Sequence, residues 1–220
     1  MAKEKLKSIY AKLFDSFGPQ HWWPGDTPFE VAVGAVLTQN TNWGNVEKAI
    51  ANLKKANALC PVAIDRMSPP RLAELIRPSG YYNVKAGRLK ALVAFIMREY
   101  HGNIERMRNG DPEKLRRKLL EINGIGQETA DSILLYAAGM PFFVIDAYTK
   151  RMLSRHGILS ADAEYEDFQG LFHRSLARSV PLYNEYHALI VKTGKTFCRP
   201  RDPLCGDCPL SGKEVFLLPA

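Results

Sequence analysis

Apolar residues recur along this chain at helical spacing almost throughout. Val46, Ile50 and Leu53 form one stripe, and Leu89, Leu92, Val93, Ile96 and Met97 form another. Ile133, Leu134 and Ala137 follow, then Tyr183, Tyr186 and Ile190. Intervals of three and four place each set on one helix face, where it can be buried. No segment alternates apolar and polar residues for long enough to predict a strand. The start signals agree with helices. Thr27-Pro28-Phe29-Glu30 puts a cap, a first-turn proline and a capping-box glutamate in order, and Asp111-Pro112-Glu113 and Ser68-Pro69-Pro70 open in the same way. The pattern predicts an all-α protein of about ten short helices joined by tight Gly/Pro turns.

Composition adds a partner class to this picture. With 30 Lys and Arg against 23 Asp and Glu the chain carries +7 in 220 residues, which points to an anionic partner, nucleic acid being the common one. A merely basic soluble protein stays open on charge alone. No stretch reaches the ~20 apolar residues of a membrane-spanning helix. The N-terminal MAKEKLKSIYAKLF is charged and amphipathic, without a signal peptide's apolar run, so a cytoplasmic location is expected; association with the nucleoid and a monomeric state are separate expectations. Three of the four cysteines, Cys198, Cys205 and Cys208, crowd into a Pro- and Gly-rich tail that cannot be a regular helix. Such crowding points to metal before disulfides. Cys60, alone in NALCP, reads as a small buried hydrophobe.

The most informative segment is Leu119-Leu120-Glu121-Ile122-Asn123-Gly124-Ile125-Gly126-Gln127-Glu128-Thr129-Ala130. One helix runs into Gly124-Ile125-Gly126 and another begins at once. Two glycines around one apolar residue permit a tight turn that can approach a ligand closely. Ile125 can pin the turn from inside, while N–H groups at the second helix start face a phosphate oxygen. This grips DNA without reading its sequence. An ordinary helix–turn–helix connection is the plain alternative.

With this hairpin the chain resembles the helix-hairpin-helix (HhH-GPD) DNA glycosylases of the endonuclease III superfamily. The likeness extends to Val36-Leu37-Thr38-Gln39-Asn40-Thr41, Gly80-Tyr81-Tyr82-Asn83-Val84-Lys85-Ala86, Val144-Ile145-Asp146 and the cysteine tail. It implies two helical subdomains with a DNA-binding cleft between them. Residues 28–141 would carry the helix-hairpin-helix at about 114–138, and residues 1–27 with 142–220 would carry the Cys-rich loop at 198–214. The implied partner is double-stranded DNA containing a damaged base, flipped from the duplex for excision.

The resemblance makes Asp146 the catalytic carboxylate, although an acid before a helix is also an ordinary N-cap. A negative group would stabilise positive charge building at the sugar C1′ and orient the attacking water. Relatives that also cleave the strand carry a lysine two residues after the hairpin's second glycine; here that position is Glu128. The departure implies a monofunctional enzyme with weak or absent lyase activity. Gln39 and Tyr81 match the positions from which the family pushes side chains into the duplex, and Asn40, Gly124, Ile125, Gly126, Thr129 and Ala130 complete the expected DNA contacts.

All three tryptophans lie between positions 22 and 43. Trp22, Trp23, Pro24 and Trp43 resemble the base pocket of the 3-methyladenine glycosylase branch, with core packing as the alternative. Stacked indoles suit a cationic alkylpurine through cation–π attraction. The expected substrate is therefore an alkylated purine. Oxidised or mismatched bases, or a non-catalytic DNA-binding role, are the rivals. The tail matches the first three ligands of a 4Fe–4S cluster, with Lys195, Arg199 and Arg201 set against phosphates. The fourth ligand position is Glu214 rather than Cys, which leaves zinc or no metal as alternatives.

Overall fold

Helix starts in this chain follow local chemistry closely. The computed structural model describes residues 2–22 and 25–211. In it Thr27 caps α2 (Pro28–Leu37) by accepting from the Glu30 N–H, and Asp111 caps α7 (Pro112–Leu120) by accepting from the Lys114 N–H at 2.6 Å. Two details differ from expectation. The Glu30 carboxylate, itself buried, does not complete a capping box but pairs with Lys54 at 2.9 Å. Ser68 offers no side-chain cap to α5 (Pro69–Leu75), which begins on its prolines alone.

The chain divides into two units, residues 23–140 and residues 1–22 with 141–220. The first is built around α2, whose residues are buried almost all round, as a central helix requires. Against it pack α3 (Trp43–Lys55), α6 (Tyr82–Tyr100) and α8 (Gln127–Ser132), which continues into a π-helical turn at Ile133–Ala137, while α7 packs on α8 to form the hairpin. The stripes Val46, Ile50, Leu53 and Leu89, Leu92, Val93, Ile96 are buried as their spacing predicts. Short α4 (Pro61–Arg66) and α5 cover α6. Cys60 is exposed ahead of α4: the helix begins at Pro61 and leaves the thiol outside.

The second unit holds α1 (Ala2–Phe17), α9 (Ala147–Arg155), α10 (Tyr165–Ser175) and α11 (Val180–Thr196). Its core is aromatic. Phe143 stacks on Phe172 with ring centroids 3.6 Å apart and meets Tyr183 and Tyr186 edge-on. Tyr186 donates to Leu6 O at 2.8 Å, which fixes α1 on α11. No strand occurs among the described residues, and none of their helices is long and apolar enough to cross a membrane.

Candidate active site

The segment leading to Asp146 is extended and buried, so its backbone polar groups need partners. One face of α10 supplies them. His173 Nε2 accepts from the Phe143 N–H at 3.1 Å, Gln169 donates to Phe143 O at 2.8 Å, and Tyr165 OH accepts from the Ile145 N–H at 3.2 Å. Residues spaced four apart on a helix thus take the place of a neighbouring strand.

This segment delivers Asp146 to the start of α9. Oδ1 accepts from the Thr149 N–H at 2.7 Å and the Thr149 hydroxyl at 2.9 Å, which is N-cap geometry. Oδ2 faces His187 Nε2 at 3.4 Å. The capping and chemical readings are therefore compatible, because each uses a different oxygen. Burial pushes the carboxyl pKa up, but the interaction with His187 and the bonds from Thr149 outweigh it and leave it below its ordinary value. The side chain is 12% exposed and ionised at neutral pH.

Behind His187 lies Trp22, its ring stacked on the imidazole at 5.4 Å between centroids and 25° between planes. Trp22, His187 and Asp146 thus form a row within one unit. Sequence reasoning had not singled out His187. Its signal was its place on the buried face of α11, beside Tyr183, Tyr186 and Ile190. Trp43 belongs to the other unit, where it packs on Gly34 and donates to Glu47 at 3.0 Å. Trp23 and Pro24 lie outside the described residues.

The amines near Asp146 in sequence do not point to it. Lys150, one turn along α9, directs Nζ to Ala163 O at 3.5 Å and to the Phe168 ring. At the hairpin, Glu128 is exposed on the first turn of α8.

In the unit of residues 23–140 the hairpin forms as the glycines predict. Gly124 adopts φ +82°, Ile125 is 4% exposed, and Gly126 lies at the surface as the N-cap of α8. Arg116 clamps Asp131 through two bonds of 2.7 and 3.1 Å, tying α7 to α8. Thr129 and Ala130, expected at DNA, are buried at 6% and 0% exposure. The Thr129 hydroxyl accepts from Gln39, and both side chains lie under the turn's surface.

Gln39, expected to enter the duplex, has both ends of its amide engaged. Nε2 donates to Gly124 O at 3.0 Å and Thr129 Oγ1 at 2.9 Å, and Oε1 accepts from Arg88. It braces the α2 end on the hairpin. The neighbouring Asn40 is exposed at φ +53°, and Tyr81 is 70% exposed at φ +45°.

The cysteine tail is held by α9. Arg151 donates to Cys198 O at 2.7 Å, and Arg155 donates to Arg199 O at 2.6 Å, Pro200 O at 3.0 Å and Cys198 Sγ at 3.4 Å. Burial raises the Cys208 thiol pKa, and the nearby Cys198 and Cys205 raise it further. Among the described residues, no three His, Cys, Asp or Glu side chains are arranged to hold a metal ion. Position 214 lies outside them. The described residues therefore do not by themselves make the metal site that the spacing suggested.

Comparison with known proteins agrees with this anatomy. A candidate DNA repair glycosylase of Methanocaldococcus jannaschii is 50% identical over 97% of this chain and 96% of its own length. Endonuclease III of Thermotoga maritima is 28% identical over 86% of this chain and 83% of its own length. Among solved structures, the H. pylori 3-methyladenine DNA glycosylase bound to 1,N6-ethenoadenine matches with a TM-score of 0.74 at 30% identity, covering 88% of this chain and 97% of that one. An endonuclease III–DNA covalent intermediate shares the fold with a TM-score of 0.82 at 22% identity, covering 96% and 94%. The model of HhH-GPD superfamily base excision DNA repair proteins matches residues 33–178. Because that span takes in the hairpin, the loops at Asn40 and Tyr81, and Asp146, the chain belongs to the HhH-GPD superfamily of base excision DNA repair proteins.

Proposed function

We propose that this protein is a monofunctional DNA glycosylase that hydrolyses the N-glycosidic bond of alkylated purines such as 3-methyladenine and leaves an abasic site. The observation that carries the reading is the row of Trp22, His187 and Asp146, an indole and an ionised carboxylate joined through one imidazole. A purine alkylated on a ring nitrogen is cationic and its glycosidic bond is already weakened. It needs recognition of charge more than strong acid catalysis, and an aromatic face supplies that. The Asp146 carboxylate stabilises the oxocarbenium-like sugar and orients the water that attacks C1′.

The remaining parts divide the labour. The Gly124–Gly126 turn and the start of α8 hold a phosphate. Asn40 and Tyr81, exposed in left-handed backbone, enter the duplex beside the extruded nucleotide. Gln39 acts as the brace of that probe. Glu128 at the hairpin and the turned-away Lys150 leave water as the nucleophile. The likeness to a 3-methyladenine glycosylase at 30% identity supports the alkylpurine substrate.

A panel of duplexes carrying single lesions, read by chromatography of the released base, tests this. Alkylated purines are expected to give a kcat/KM at least about tenfold above thymine glycol, uracil opposite guanine, or hypoxanthine. Faster release of an oxidised or mismatched base would overturn the specificity. No release from any duplex would overturn the enzymatic reading.

A further inference from the structure

Lys85 is a buried lysine that, among the described residues, forms no ion pair with an acid. It is 1% exposed, and its ammonium donates to Leu37 O at 2.8 Å and Ser79 O at 2.6 Å. Burial pushes its pKa down and the charge of Arg88 pushes it further. Burying an ammonium against carbonyls alone is costly, so what it joins matters.

Leu37 is the last residue of α2, and Ser79 is the last of a 3-10 turn, Arg77–Ser79. Both carbonyls belong to helical ends, where a cation is favoured. Three residues after the first comes Asn40, and two after the second comes Tyr81, each exposed and each in left-handed backbone. One buried charge therefore fastens the roots of both exposed loops. One turn along α6, Arg88 carries the same framework to the hairpin through Gln39.

We propose that Lys85 is a positioning residue that locks the Asn40 and Tyr81 loops into one two-pronged probe, so that both enter the duplex together. This rests on the duplex-entering roles given above to Asn40 and Tyr81. Lys85 touches no substrate; it sets the spacing of the prongs, and its effect falls on base extrusion and not on bond cleavage.

The test compares Lys85→Met, which keeps the side chain's length and removes the ammonium, with wild type on two substrates. One holds 3-methyladenine in a paired duplex, and the other holds it in an unpaired bulge that needs no extrusion. The variant is expected to lose about a hundredfold in excision from the paired site while staying within about threefold at the bulge. An equal loss on both substrates, or no loss on either, would overturn the proposal. The fluorescence rise of 2-aminopurine placed at the extruded position reads the same step without bond cleavage. It still decides the role of Lys85 if the protein excises none of the bases offered: a rise weaker than wild type supports the proposal, and an equal rise overturns it.

Should Lys85→Met fail to melt cooperatively, the exposed prongs supply the answer in the otherwise native chain. With the loops locked together, Asn40→Ala and Tyr81→Ala each lower 2-aminopurine extrusion nearly as much as the double variant does. Additive effects would overturn the proposal.

Discussion

Replacing Asp146 by Asn is expected to leave a folded protein that binds lesion-containing DNA and excises about a thousandfold more slowly. Asn is as good an N-cap as Asp, so the bonds from Thr149 to Oδ1 can be kept while the charge is lost. The variant thus separates the two duties of this side chain. Single-turnover excision beside a binding titration reads them independently, and excision within tenfold of wild type would remove Asp146 from the chemistry. The pH dependence has a definite sign. The folded carboxyl titrates below its ordinary value near 3.8. Its contribution to stability is present above the unfolded value of about 3.9 and is lost as pH falls through the lower folded value. Activity is accordingly expected to show no acid limb from this group between neutral pH and pH ~5. An acid limb in that range that is lost in Asp146→Asn would contradict the ionised state assigned here.

Gly124→Ala is expected to damage both stability and DNA binding. Its φ of +82° disfavours a side chain, and a Cβ there would lie 2.4 to 2.6 Å from Cγ, Cδ and Nε of Arg88. Arg88 would have to move, releasing the Gln39 amide that braces α2 on the hairpin. The strain costs about 1–3 kcal/mol, and binding should weaken by about tenfold as the turn loses its shape. Gly126 provides the contrast. A Cβ there meets nothing within 4 Å, and its φ of −87° is ordinary. Gly126→Ala should keep Tm and lose only binding, because the methyl projects from the surface proposed to meet phosphate. Equal melting temperatures for Gly124→Ala and wild type would contradict the packing described.

The helices, the hairpin and the position of Asp146 were legible because their signals are local. Stripes at three- and four-residue intervals, prolines in first turns and the paired glycines each act within a few residues of themselves. Partnerships across the chain were not legible in the same way. The resemblance sends Gln39 to the duplex, and nothing near it in sequence shows that its amide is engaged by Gly124, Thr129 and Arg88. His187 reads as one more residue in a buried stripe until α11 brings it to Asp146. Thr129 and Ala130 sit in the hairpin motif, yet α8 turns them inward. The run Tyr165, Gln169, His173 carries a helical period in sequence, and its purpose shows only when the extended segment before Asp146 lies against it.

Chemistry by a carboxylate and water, without an amine, is tested most directly by borohydride trapping on a duplex from which the protein is turning over lesion base. Free base should accumulate and the strand should stay intact at the abasic site. No covalent protein–DNA adduct should appear above the level seen with Asp146→Asn. A stoichiometric adduct that forms with the released base would show that an amine of this chain attacks C1′, and the role given to water would be wrong.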